Sequence, residues 1–229
     1  MNRPEDNLLL AALDADDREL LTRIGSFVKL AQSSVLQAAD APVAAVYFPI
    51  SGMLSHVLAT PAGETIEIGL LGRDGALPLD AAFLDGRAIG ELSVQIGGEA
   101  LRVPLAALRE AIAARPALAQ KLGHFADGYL SLIARTAVCN ARHPVEARLA
   151  RWLLLASDVT DNERTLPLTH EFLSQMLGVR RASVTVAAQR LRDSGAITYG
   201  FRQISVADPI VLAARACSCY GYMRRLLAA

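Results

Sequence analysis

Arg181, Thr185, Gln189 and Arg192 recur roughly a turn apart in RRASVTVAAQRLRD, so a helix there gathers them on one face. Val184, Ala188 and Leu191 fall on the opposite face. Arg can pair bidentately with guanine and Gln with adenine, and Thr can bond either. The set therefore suits reading base edges in a major groove. From Arg164 to Val206 six Arg stand against Glu171 and Asp193 alone, a balance of +4 that favours a phosphate surface.

Other chemistry is thin. His56 with Glu64 and Glu67 could imitate a cupin metal site, but such a site normally takes three or more convergent ligands, and this region has one His. Glu64 and Glu67 differ by three and would face opposite sides of a strand, which prevents a carboxylate pair. Cys139, Cys217 and Cys219 are too few and too badly spaced for a disulfide scaffold or a four-ligand zinc site. They are expected to be structural, with a redox role open. No Ser/His/Asp or Cys/His set and no Gly-rich phosphate loop emerges; GRDG (Gly72–Gly75) reads as a turn. Neither catalytic residues nor a metal set is expected, and the chain is not expected to be an enzyme.

The elements that must hold the Arg face are short and well punctuated. Leu168, Phe172, Leu173, Met176 and Leu177 recur at helical spacing behind Thr169, a suitable cap. Gly178 and Val179 interrupt; a second apolar set follows at Val184, Ala187, Ala188 and Leu191, and Gly195 stops it. AITYG, a turn at Phe201 and Arg202, and QISVAD then read as a β-hairpin. This is a winged helix-turn-helix. The plainer alternative is a helical hairpin whose Arg face is merely solvated.

At 229 residues two domains are expected, and 52% hydrophobic with 20% charged residues is ordinary for a globular chain. The net charge of zero hides an asymmetry. Residues 1–110 carry 8 Lys/Arg against 15 Asp/Glu, and residues 111–229 carry 15 against 8. An acidic front and basic back match a sensor joined to a nucleic-acid module. Met1–Leu10 shows no secretory signal, and Pro and Gly break the uncharged run Ala41–Gly63, so no spanning helix and a cytoplasmic chain are expected.

Asp14–Gly25 reads as a helix with an acidic first turn. From Ala41 to Pro104 the runs VAAVYF, MLSHVLA, TIEIGLL, ELSVQI and EALRVP are separated by PISG, TPAG, GRDG, LDGR and GG, which predicts short strands in a sandwich or barrel. After an apolar segment at Leu105–Ala113, Leu118, Leu122, Phe125, Tyr129, Leu132, Thr136 and Cys139 step by 4, 3, 4, 3, 4 and 3, a heptad seam. Such a stripe can pack on its own domain or on a second copy; its three full heptads favour the second copy. A helix after Pro144 with Trp152 in its core, a loop at 161–167 and one last helix from Pro209 complete the chain.

LTHEFLSQMLGVRRASVTVAAQRLRDSGAI resembles the DNA-binding signature of the Crp/Fnr regulators, through Thr169, Gly178, Val179, Arg181, Ser183, Val184 and Leu191. VYFPISG (Val46–Gly52) and its spacing to GRDG more faintly resemble the family's cyclic-nucleotide-binding β-roll. The resemblance implies that Arg181 and Ser183 approach the operator, that Thr169 meets a phosphate, and that the seam joins a homodimer. Arg180 stands where the family usually has a capping Ser or Thr, and Ala182 and Val186 where better-known members carry charged base-reading side chains.

The resulting expectation is an α+β chain: a jelly-roll-like β-roll over 1–114, a long dimerisation helix over 115–141 and a winged helix-turn-helix over 142–229. It would act as a sequence-specific transcription regulator on a two-fold-related double-stranded operator. Arg181, Ser183, Thr185 and Gln189 would read bases, while Thr169, Arg180, Arg190 and Arg202 would hold phosphate. Family members that bind cyclic AMP use a Gly-Glu pair on the ribose and an Arg-Ser/Thr-Ala on the phosphate. Here GALPLD (Gly75–Asp80) has no Glu after a Gly, and only Arg87-Ala88 offers a cation downstream. Cyclic AMP is therefore not expected; nor is haem, nor an iron–sulfur cluster, whose amino-terminal Cys set is absent. Two rival functions are an interaction module with a vacant sensor pocket, recruiting a partner such as RNA polymerase, and a cupin-like metal enzyme with an accessory basic domain.

Overall fold

A computed structural model describes residues 3–84, 86–161 and 163–227, without the side chain of Leu227. Asp85 of the expected LDGR turn, Asn162 of the expected 161–167 loop, and Met1 and Asn2 lie outside the described residues. In chain order the elements are α1 (Leu8–Ala11), α2 (Ala15–Ile24), β1 (Ser26–Leu30), β2 (Val35–Gln37), β3 (Ala45–Ala59), β4 (Thr65–Leu71) and β5 (Glu91–Pro104). Then come α3 (Leu105–Ala114), α4 (Pro116–Arg142), α5 (Val145–Val159), β6 (Thr165–Leu166), α6 (His170–Leu177), α7 (Arg181–Asp193), β7 (Ile197–Gly200), β8 (Gln203–Val206), α8 (Pro209–Arg215) and α9 (Cys219–Leu227). The fold class is α+β.

The described chain divides into two compact units, residues 3–56 with 70–131, and residues 57–69 with 132–227. In the first, β1 and β2 run antiparallel to β5. Its core joins Leu10, Phe48, Leu79, Leu101, Leu108 and Leu122, all essentially inaccessible to solvent. Asn7 fastens the amino-terminal segment there: its Nδ2 donates to the carbonyls of Pro49 and Gly75 at 2.8 Å each, and its Oδ1 accepts from Leu10 N. A buried carboxamide is tolerated because its bonds are made. In the second unit, α5 is buried on nearly every side, beneath α6 and α7, with β6-β8-β7 beside them.

Four expectations need correction. PISG and GG are not turns: β3 and β5 each run through them as one strand. The glycines are present for close approach instead. Gly52 has φ +82°, and a Cβ on it would stand 2.5 Å from Ile96 O; a Cβ on Gly98 would collide with Ser51 O. Strands β1 and β2 precede the expected start of the sheet, and β6 lies in the expected loop; all three are short and take their structure from partner strands. The last helix is two helices, broken at Ala216, whose ψ of 153° is extended.

The heptad seam is not open to a second copy. Leu118 and Leu122 lie in the first unit's core, and Phe125 packs onto Gly75, where a Cβ would overlap its ring. Tyr129 is buried and stacks on His56, ring centroids 6.1 Å apart. Leu132 and Thr136 are buried, and Cys139 lies against Cys217 in the second unit. Heptad spacing specifies that a stripe is buried, not which surface buries it. The solvent-facing side of α4 carries Leu130, Ala134, Ala137, Val138 and Ala141.

Candidate nucleic-acid interface

Local chemistry builds the helix-turn-helix. Thr169 Oγ1 accepts from Phe172 N at 3.1 Å, satisfying an orphan amide at the start of α6. Gly178 ends that helix in the left-handed region, φ +60°, and a Cβ there would stand 2.8 Å from Ile66 Cδ1. Both conformation and space therefore require glycine. Arg180 occupies the N-cap of α7 and makes no side-chain cap bond, as its side chain dictates. Val184, Ala187, Ala188 and Leu191 are buried, which turns the other side of α7 outward.

That outward side presents Arg181, Ala182, Thr185, Val186 and Arg190 to solvent, with Gln189 half-buried at its edge. Thr185 Oγ1 donates to Arg181 O at 3.1 Å and lies 3.2 Å from His170 Nδ1. Gln189 Nε2 donates to Asp193 Oδ1 at 2.8 Å. Arg181 lies 4.0 Å from Glu171, an exposed and therefore weak pairing. Arg190 leans toward Glu146 at 3.6 Å, a carboxylate it shares with Arg215. Ser183 is half-buried and turns toward a shallow groove of about 600 Å3, walled also by Pro144, Glu146 and Val186.

Arg192 belongs elsewhere. Its guanidinium lies over the Tyr199 ring of the wing, 5.4 Å from the centroid, and near Asp193. The His170 ring meets the same Tyr199 edge-on at 5.7 Å, so the wing is tied to both helices. Burial, and then the Arg181 charge, hold the His170 pKa below its usual value. At the tip of the wing Phe201 is 92% exposed, beside Arg202, whose φ of +54° makes the two-residue turn. Thr169 and Arg180 are thus the N-cap residues of α6 and α7, and Arg202 lies in the turn of the wing.

The second unit also holds a cluster that spacing along the chain conceals. Cys139, His143, Cys217 and Cys219 place one ligand atom each within 4.8 Å of one another, although their spacing along the chain is unlike that of a four-ligand site. The only local signals are Cys139 and His143 four apart on a helix and Cys217-x-Cys219. His56, Glu64 and Glu67 do not converge. His56 faces Tyr129 in the first unit, while in the second Glu67 accepts from Trp152 and Glu64 is exposed.

Residues 147–215 match the family model of the Crp-like helix-turn-helix domain. No curated protein sequence matches the chain. Among solved structures, FixK2 from Bradyrhizobium japonicum is similar with TM-score 0.72 and 17% identity, over 85% of this chain and 98% of that one. The c-di-GMP-responsive global regulator CLP of Xanthomonas campestris gives 0.70 and 15%, over 85% and 100%. A CRP/FNR-family transcriptional regulator from Thermus thermophilus gives 0.59 and 19%, over 89% and 99%. The second and third of these are described as regulators. The chain has the fold of the Crp/Fnr transcription regulators and carries a Crp-like helix-turn-helix DNA-binding domain at residues 147–215.

Proposed function

We propose that the protein acts in the cytoplasm as a homodimeric, sequence-specific transcription regulator. The observation that carries this reading is the exposed side of α7, where Arg181 and Thr185 stand free of the core with Gln189 beside them. Arg181, Thr185 and Gln189 read base edges, and Ser183 contacts the base or sugar nearest the groove wall. Val186, 54% exposed, adds an apolar contact suited to a thymine methyl. Thr169, Arg180, Arg190 and Arg202 hold phosphates and set the register. The Thr169 hydroxyl accepts in the cap and keeps its proton for a phosphate oxygen.

The homodimer forms through the outward side of α4, Leu130, Ala134, Ala137, Val138 and Ala141, whose small side chains let two helices approach closely. Two copies of α7 then enter successive major grooves, half-sites about one helical turn apart. Cyclic AMP is not the effector. Gly75–Asp80 supplies no phosphate clamp, and Arg87 is exposed, donating to Asp40 O at 2.7 Å.

The test is a titration of purified protein on its own upstream region and on random duplex, at two salt concentrations, with and without cyclic AMP or c-di-GMP. Selective binding that needs no nucleotide is the expected result. Equal affinity for both duplexes in every condition would sink the proposal, and dependence on cyclic AMP would overturn the effector statement.

A further inference from the structure

We infer that Cys139, His143, Cys217 and Cys219 form a tetrahedral metal centre that takes Zn2+ and fastens the end of α4 to the break between α8 and α9. The inference does not depend on the DNA-binding proposal. Cys139 Sγ and Cys217 Sγ lie 3.4 Å apart, Cys219 Sγ and His143 Nδ1 3.8 Å, and no pair among the four exceeds 4.8 Å. A zinc ion with bonds of about 2.3 Å to sulfur and about 2.0 Å to nitrogen sets ligand edges near roughly 3.5–3.8 Å. The Cys139–Cys217 and Cys219–His143 edges are close to that length, and the widest edge is no more than 4.8 Å.

The backbone explains why the four meet. Cys139 and His143 are four apart, and His143 N donates to Cys139 O at 3.1 Å, so the helical turn carries both side chains to one face. Cys217 and Cys219 follow the extended Ala216 break, where Cys217 N donates to Ala147 O at 3.3 Å. The three cysteines are buried and His143 half-buried, which leaves four protein ligands and no open position. That is the pattern of a structural centre rather than a catalytic one. Three sulfurs and a nitrogen, with no oxygen ligand, select a soft tetrahedral ion over Mg2+ or Ca2+.

Charge supplies an independent argument. Arg148 and Arg151 are 5% and 4% exposed, and among the described residues neither pairs with a carboxylate. The Nε of each lacks a hydrogen-bond partner. Arg148 Nη2 donates to the Leu177 carbonyl, and Arg151 Nη1 meets Met223 Sδ at 3.2 Å. Two buried guanidinium groups without an anion are costly. Arg148 is the next residue along α5 from Ala147, whose carbonyl accepts from Cys217 N, and Arg151 lies one turn beyond Ala147. Zn2+ with three thiolates and a neutral imidazole carries a net charge of −1, which offsets part of that buried positive charge. On binding, each cysteine S–H gives its proton to solvent and a Zn–S bond forms.

Full-length protein, purified reduced and without chelator, should contain about one zinc per chain by elemental mass spectrometry. Co2+ in its place should give the intense d–d bands of a tetrahedral site and thiolate-to-cobalt charge transfer. A chelator should raise the number of rapidly titrated thiols as the metal leaves. Cys219→Ser and the half-exposed His143→Ala should each weaken Co2+ affinity more than about tenfold, a loss expected of altered ligation. Native circular dichroism qualifies each variant; where one fails to fold, the wild-type cobalt spectrum and thiol count decide. Three freely titrating thiols in native protein after incubation with Zn2+, an octahedral cobalt spectrum, or full affinity in both folded variants would overturn the assignment.

Discussion

Trp152 Nε1 donates a 2.5 Å hydrogen bond to Glu67 Oε1, and both residues are buried within the second unit. The bond ties a residue of β4 to α5, the helix on which α6 and α7 pack. Phe172 meets the same indole edge-on, with centroids 6.0 Å apart. The Ile66 side chain, next to Glu67, lies where any Cβ on Gly178 would have to go. A strand segment from the amino-terminal half of the sequence is therefore part of the helix-turn-helix support.

Trp152→Phe keeps the six-membered ring but removes the indole N–H that donates to the buried Glu67 carboxylate. It should cost about 1–3 kcal/mol in denaturant unfolding. Combined with Glu67→Gln, the double mutant should lose less than the sum of the single losses. Strict additivity would mean the bond contributes nothing.

On DNA, Arg181→Ala should weaken the specific complex by about 1–3 kcal/mol and the random-duplex complex little. Arg180→Ala should weaken both alike and flatten the salt dependence. Competition binding at two salt concentrations separates the two roles. A uniform loss for Arg181→Ala would make it a phosphate contact.

The two sides of α4 should answer differently to a charge. Leu130→Asp, on a side chain 61% exposed, should sediment as a monomer with native circular dichroism. Leu132→Asp, on a side chain 3% exposed, should disrupt the fold itself, because the new carboxylate is buried without a partner. A Leu130→Asp protein that remains a tight dimer would refute the proposed face.

Acid should find His56. Burial alone lowers its pKa from 6.5 to about 4 in the folded chain, where its Nδ1 lies 3.4 Å from the Tyr129 hydroxyl. The unfolded chain binds the extra proton first, so the stabilisation is fully present above pH 6.5 and is lost progressively as the pH falls toward 4. The loss over that window is on the order of 3 kcal/mol. Unfolding midpoints at several pH values, for the wild type and His56→Gln, check this. A variant with the same slope would move the titration to another group.

The helix-turn-helix was legible in the sequence because its determinants are local. Thr169 caps an amide three residues on, Gly178 and Gly195 take left-handed conformations, and the apolar sets repeat within two turns. The extent and periodicity of α4 were legible for the same reason. What buries the Leu118–Cys139 stripe was not, since own-chain and partner packing impose the same spacing; only the tertiary structure placed it inside. Gly52 and Gly98 looked like turns because the sequence cannot distinguish a positive φ in a loop from two strands passing at close range. The Cys139, His143, Cys217 and Cys219 cluster was hidden more completely. Its halves lie more than seventy residues apart, and they meet only because α8 breaks at Ala216 and α4 ends beside that break. Local propensity and periodicity thus determined the elements that could face DNA, whereas long-range packing decided which surfaces stay free and which ligand atoms converge.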